Sequence, residues 1–116
     1  MTSGKAIAQA GHAYTQTLLH ALKVDAPLAQ DYARLEPGTK IALDGGDASR
    51  LEAIARKLDA RGIPNRLIID HGHVELPHFD GSPVLTALGV GPIDRATARK
   101  LLSSLRLWGQ RKGGAP

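Results

Sequence analysis

The chain has 116 residues, 42% of them hydrophobic and only 3% aromatic, and this length suits one domain with a single modest core. It contains no cysteine, which excludes disulfides and thiolate metal sites, and no apolar run long enough for a signal peptide or a membrane span, so we expect a cytoplasmic protein. Fifteen Lys and Arg against eleven Asp and Glu give a formal net charge of +4, which fits a polyanionic partner and a solvated basic surface about equally.

The first predicted element is a long helix over residues 4–23, with Ser3 able to cap it. Its apolar positions at helical spacing predict a buried stripe of Ile7, Ala10, Tyr14, Leu18 and Ala21. Lys5 places a cation in the first turn, where the helix dipole already presents positive charge. Gln9 lies one turn later on the same face, and His12 follows three residues further on. Taken alone, Lys5 is better explained as a solvated surface lysine than as a functional one.

The middle of the chain predicts a second short helix, a strand and a third helix. Pro27 suits the first turn of the short helix. "KIALD" (residues 40–44) alternates in the way of a strand. Asp47 or Ser49 can cap the helix that follows, "SRLEAIARKLDARG".

The remaining residues predict two strands and a last helix. "NRLIID" (residues 65–70) is a short apolar strand that we expect to be largely buried, and a loop of residues 71–83 follows it. "VLTALGVG" (residues 84–91) is a second strand, Asp94 caps the last helix, and residues 109–116 form a flexible polar tail. This order of elements predicts an α/β fold, in which functional groups gather where strands end.

Asp70 stands at such a strand end and enters a loop, so its carboxylate is a candidate for a cleft. The alternative is a structural aspartate that bonds its own turn. His71 and His73 at alternate positions, with His78 nearby, raise the question of a metal site, for which a solvent-exposed loop is the simpler account. The glycines of "LDGGD" and "ALGVGP" lack the pattern of a phosphate loop and are better explained as turn and strand-end residues.

Three segments together resemble the type II peptidyl-tRNA hydrolase family. "SGKAIAQAGHA" is similar to the family's glycine-lysine helix, "RLIIDHGHVEL" to its strand ending in an aspartate, and "TALGVGP" to its strand closing with Gly-Pro. Each motif is weak singly, but their order and spacing are fairly specific. The resemblance covers about residues 3–107, which is nearly the whole chain.

The resemblance implies hydrolysis of the ester that joins a peptide to the 3′ ribose of tRNA, with peptidyl-tRNA as partner, no cofactor and no metal. The residues that it implies for catalysis are Lys5, Gln9, Asp70 and Thr86, and those that we expect to contact the substrate are His12, His73 and Arg66. Asp70 would orient or deprotonate a water, and Lys5 would stabilise the oxyanion. Gln9 and Thr86 would position water or substrate. The oligomeric state is left open, with a homodimer as one alternative.

The resemblance also implies a three-layer α/β/α sandwich around a small mixed sheet, formed by residues 1–108. The family begins with an apolar strand, whereas only four residues precede Lys5 here, so we expect this sheet to lack that strand. Val74 stands where the family has a threonine, and the loop from Glu75 to Thr86 is a few residues longer. These departures favour an alternative, a catalytically weakened relative that binds tRNA or another RNA. A structural or protein-interaction domain is a third hypothesis.

Overall fold

A computed structural model describes residues 2–71, 74–75, 79–80 and 83–109. This part of the chain forms, in order, helices α1 (Ser3–Val24), α2 (Ala26–Ala33) and α3 (Ala48–Ala60), strands β1 (Asn65–Asp70), β2 (Val74–Glu75), β3 (Phe79–Asp80) and β4 (Val84–Val90), and helix α4 (Arg95–Leu102). The predicted α/β class is confirmed. Among the described helices, none combines the length and the apolar character that a membrane crossing requires.

The strands form two antiparallel pairs in the described part of the chain. β1 pairs with β4 from Asn65 opposite Val90 to Asp70 opposite Val84, and α1 and α3 both pack against this pair. β2 pairs with β3. The second pair is a correction to the predicted loop of residues 71–83, because two strands of two residues each are too short to show a period in the sequence.

Thr2 caps α1, and not Ser3 as predicted. The Thr2 hydroxyl accepts a hydrogen bond from the backbone N–H of Lys5 at 3.4 Å, and Ser3 is the first residue of the helix. Adjacent threonine and serine residues are both good caps, so composition alone does not choose between them.

Asp47, one of the two candidates for α3, caps that helix, and Asp94 caps α4 as predicted. The Asp47 carboxylate accepts from the backbone N–H of Arg50 at 2.9 Å, and the Asp94 carboxylate accepts from the backbone N–H of Thr97 at 2.8 Å. These backbone hydrogen bonds hold the pKa of each carboxyl below its ordinary value. Both carboxylates also lie at the positive end of a helix dipole.

The buried face of α1 differs from the predicted stripe. Gln9, Ala13, Thr17 and Ala21 are buried, whereas Ile7 is 72% exposed. Only Ala21 belongs to both sets. The stripe prediction was wrong because it ranked residues by hydrophobicity, while two polar residues of α1 face the strand pair.

The predicted strand "KIALD" is not a strand. Leu43 forms an isolated bridge with Leu107, and the backbone N–H of Asp44 donates to the carbonyl of Arg106 at 2.8 Å. Ile41, in the same segment, is 61% exposed. Alternating apolar and polar residues favour extended backbone locally. A strand also needs a neighbouring strand along its length, and the described residues pair with this segment only at the single bridge.

Burial is concentrated beneath the helices. Ala55 and Leu58 on α3 are buried, and so is Ile68 in the middle of β1. Within β1 only Ile68 is buried, while Arg66 and Ile69 are exposed, so the prediction of a largely buried strand was wrong. The predicted tail lies outside the described residues from residue 110 onward.

Candidate active site

Lys5 lies in the first turn of α1, the helix that packs against the strand pair. Lys5 is half-buried, and Gln9 follows one turn later on the same helix face. Lys5 thus stays at the positive end of the helix dipole, as the sequence indicates, with no acidic residue in the first turn.

Gln9 links α1 to both strands. Its side chain is only 5% exposed, its Nε2 donates to Asp70 Oδ2 at 2.8 Å, and its Oε1 accepts from Thr86 Oγ1 at 2.6 Å. A carboxylate accepts hydrogen bonds and a hydroxyl has one proton to donate, so these two partners fix the orientation of the amide. The structure therefore joins Thr86, Gln9 and Asp70 in one chain of hydrogen bonds.

Asp70 takes part in these hydrogen bonds because of its position as the last residue of β1. It lies opposite Val84, the first residue of β4, and so stands at the end of the strand pair where the chain leaves β1. Side chains alternate between the two faces of a strand, which puts Asp70 on the same face as the buried Ile68, beneath α1.

A β-bulge brings Thr86 to the same face. Ile68 pairs with Ala87 and Ile69 with Leu85, so Thr86 is the extra residue between these pairs. In a regular strand, Thr86 would face the side opposite to Ala87 and so point away from α1. In the structure, the Thr86 hydroxyl instead donates to Gln9. The bulge thus re-aims one side chain into the site.

The residues expected to contact substrate lie further out. His12 on α1 and Arg66 on β1 are both exposed. Arg66 precedes Asp70 by four residues, or about 13 Å along an extended strand, so the structure does not bring it to the Asp70 carboxylate. His73 lies outside the described residues.

The described residues contain no group of three or more His, Asp or Glu side chains placed to hold a metal ion. His71 is exposed, and His73 and His78, which completed the metal alternative, lie outside the described residues.

A cavity of about 530 Å³ lies at the other end of the strand pair. Its lining includes Pro64, just before β1, and Pro92, just after β4. Six residues of extended β1 separate this end from Asp70, a distance of about 20 Å. The cavity is therefore not part of the site around Gln9 and Asp70.

Sequence reasoning missed Gly89 and Thr17, which are in direct contact between β4 and α1. A Cβ atom on Gly89 would lie 2.9 Å from Thr17 Cβ and closer still to Thr17 Oγ1 and to the carbonyl oxygen of Ala13. The signal was present, because a glycine inside a strand pattern often marks a close approach of another backbone.

Comparisons with known proteins indicate the family of the chain. The family model described as "Peptidyl-tRNA hydrolase PTH2" matches residues 1–108. A peptidyl-tRNA hydrolase of Pyrobaculum aerophilum is 36% identical over 110 residues, covering 93% of this chain and 88% of the relative. Peptidyl-tRNA hydrolases of Methanococcus vannielii and Methanocaldococcus jannaschii are 36% and 31% identical over 107 residues, covering 92% of this chain and 88% and 89% of the relatives. The chain belongs to the type II peptidyl-tRNA hydrolase family.

Proposed function

We propose that this protein hydrolyses the ester bond between a peptide, or an N-blocked amino acid, and the 3′ ribose of tRNA, and so recycles tRNA in translation. Family membership supports the reaction, since the relatives carry that activity in their names. The observation that carries the proposal is the hydrogen-bonded chain of Thr86, Gln9 and Asp70, with Lys5 one turn away on the same helix face.

Asp70 is the general base of the proposed reaction. Its carboxylate takes a proton from a water as that water attacks the ester carbonyl. When the tetrahedral intermediate collapses, the bond to the ribose 3′ oxygen breaks and Asp70 returns the proton to that oxygen. The Gln9 Nε2 donor holds the plane of the carboxylate. A fixed base keeps water within hydrogen-bond reach, which contributes to rate through orientation.

Lys5 stabilises the negative charge of the reaction. The tetrahedral intermediate carries an oxyanion, and donors aimed at that charge make a large contribution to catalysis. The positive end of the α1 dipole attracts the same anion, or the terminal phosphate of tRNA. A cation that is unfavourable for the isolated helix is therefore favourable for the ligand.

Gln9 and Thr86 act as positioning residues in this mechanism. The sequence suggested that they position water or substrate, but the two hydrogen bonds of Gln9 favour a role through Asp70. Thr86 orients the Gln9 amide, and Gln9 orients the carboxylate.

The test is cleavage of an N-blocked aminoacyl-tRNA by the purified chain. We expect Lys5→Ala and Asp70→Ala each to lower turnover by roughly 100-fold or more. Asp44→Asn is the matched control, because the Asp44 carboxylate is exposed and bonds the backbone of Gly46 in its own turn. Full activity in Asp70→Ala would reject the role assigned to that residue.

The same assay decides the alternative function. A chain that binds tRNA without cleaving the ester would be the catalytically weakened relative that Val74 and the longer loop favour. Absence of RNA binding would instead favour a structural or protein-interaction domain.

Three finer expectations belong with this proposal. A three-layer sandwich around a mixed sheet is supported by contacts on both faces of β1. Asp70 bonds Gln9 of α1 on one face, and Asn65, whose side chain alternates to the other face, bonds Asp59 of α3. A cytoplasmic location fits a role in translation. A homodimer is tested by light scattering of the purified chain.

A further inference from the structure

α1 and β4 are in unusually close contact at Gly89. The ideal Cβ position of Gly89 lies 2.9 Å from Thr17 Cβ, and the Thr17 hydroxyl and the Ala13 carbonyl oxygen are nearer still. Real Cβ atoms essentially never approach other atoms this closely, so any side chain at position 89 must push the helix and the strand apart. Atoms of α1 therefore take the place that a side chain at position 89 would occupy.

Thr17 is held against Gly89 by the fit of the two surfaces and not by a hydrogen bond of its hydroxyl. Its side chain is 3% exposed, and among the described residues its Oγ1 is a buried atom with no hydrogen-bond partner. Leaving a buried hydroxyl unpaired is unfavourable, so the fold tolerates that cost where α1 meets Gly89.

The contact at Gly89 and the catalytic contact lie on the same two elements. Gln9 and Thr17 are eight residues apart on one face of α1, or about 12 Å along the helix. Thr86 and Gly89 are three residues apart on β4, or about 10 Å. The similar spacings indicate that α1 runs alongside β4 and is anchored at two points, Gln9 on Thr86 and Thr17 on Gly89.

We infer that Gly89 is a positioning residue for hydrolysis, because it sets the depth at which α1 lies on β4 and so allows Gln9 to reach Asp70. This inference rests on the proposed hydrolase function. Both hydrogen bonds of Gln9 are short, at 2.8 and 2.6 Å, and a shift of α1 by one ångström lengthens them beyond optimal geometry. Misplacement of this size is enough to reduce catalysis about 100-fold.

The experiment compares Gly89→Ala with wild type by steady-state kinetics and by the NMR signal of the Gln9 side-chain amide. We expect kcat to fall roughly 10- to 100-fold with KM within about 2-fold, because binding of the tRNA body does not depend on Gln9. The Gln9 amide signal moves as its hydrogen bond to Asp70 is lost. Leu58→Ala, a buried change in α3, is the control: it lowers the melting temperature and leaves kcat within about 2-fold of wild type.

Rescue separates positioning from general destabilisation. The double variant G89A/T17G removes Thr17 Cβ and Oγ1, which are two of the three atoms nearest the new Cβ, and we expect it to recover several-fold of the lost kcat. Recovery would occur although glycine weakens the helix. If Gly89→Ala does not fold, Thr17→Leu pushes on the same contact from the helix side and is expected to give the same loss of kcat and the same shift of the Gln9 signal.

Wild-type kcat in the folded Gly89→Ala variant, an unmoved Gln9 signal, or no recovery in the double variant would overturn the inference. Failure of the proposed function is distinguishable, because wild type would then lack hydrolysis while the Gln9 signal still reports whether Gly89 positions α1.

Discussion

Gln9 is a buried polar side chain whose amide nitrogen and oxygen both have partners inside the protein. Its donor faces a carboxylate and its acceptor faces a hydroxyl, so each neighbour supplies what the amide lacks. Buried networks of this kind hold side chains in one arrangement when they are satisfied and become costly when one member is removed. Under the proposed mechanism, the stability of the site and its chemistry therefore depend on the same hydrogen bonds.

Thr86→Val tests this dependence. The variant keeps the shape of the side chain but leaves Gln9 Oε1 buried without its donor, so we expect the free energy of unfolding to fall by about 1–3 kcal/mol. We expect kcat to fall by roughly 10-fold, because Gln9 no longer holds Asp70 in one orientation. Urea unfolding and steady-state kinetics measure the two effects.

Thr86→Ser is the matched control for that variant, because it retains the hydroxyl. It should remain close to wild type in kcat and stability. Equal behaviour of the valine and serine variants would show that the hydroxyl does not orient Gln9.

At the scale of single residues, the sequence predicts some members of the site and not their contacts. A first-turn lysine and a strand-end aspartate made Lys5 and Asp70 candidates, but the resemblance to the family is what implied their roles, as it did for Gln9 and Thr86. The hydrogen bond from Thr86 to Gln9 was not predictable, because it depends on a bulge that turns Thr86 toward α1. Pairing between strands decides a bulge, and a single strand sequence does not contain that information.

At the scale of elements, the capping aspartates make helix stability depend on pH. The pKa of the Asp47 carboxyl is lowered mainly by the backbone N–H of Arg50, and folding therefore favours its ionised form. A lowered pKa in the folded state contributes stability above the unfolded-state value, near pH 4, and this contribution is lost as the pH falls through the folded-state value.

Asp47→Ala is the variant that reveals this contribution. We expect its melting temperature to be lower than that of wild type at pH 7, with a difference that shrinks below about pH 4 as Asp47 is protonated in wild type. Asp47→Asn keeps a capping oxygen without the charge, so its smaller difference should change little with pH. Calorimetry between pH 7 and pH 3 measures both. A difference for Asp47→Ala that stays constant over this range would contradict the argument.

Helices α3 and α4 were predictable because their signals are local. Asp47 and Asp94 each stand just before a helical pattern, and a cap acts within three residues. "KIALD" and the α1 stripe failed because both depend on what lies opposite them. Local preference indicates a strand or an apolar face, but a neighbouring strand and the position of the sheet decide the outcome.

At the scale of the whole molecule, the net charge of +4 and the scarcity of aromatic residues favour phosphate contact over base stacking. If three or more phosphates are contacted, the logarithm of the tRNA association constant should fall against the logarithm of salt concentration with a slope of about −2 or steeper. Fluorescence anisotropy with labelled tRNA at 50 to 300 mM salt (roughly the range in which such slopes are resolved) measures it. A flat dependence would exclude phosphate recognition as the main source of affinity.

The fold as a whole brings together Gln9 and Asp70, which are 61 positions apart in the sequence. Lys5 lies one helical turn from Gln9. The central claim is that Lys5 and Asp70 act in one chemical event in one cleft. Groups that act as a unit give grossly non-additive losses when they are removed together.

The most direct measurement is a double-mutant cycle of Lys5→Met and Asp70→Asn in the N-blocked aminoacyl-tRNA assay. We expect each single variant to lose roughly 100-fold or more in kcat, and the double variant to lose little more than the worse single variant. Losses that multiply, to roughly 10,000-fold, would mean that the two groups act independently, and an active Asp70→Asn variant would contradict the account outright.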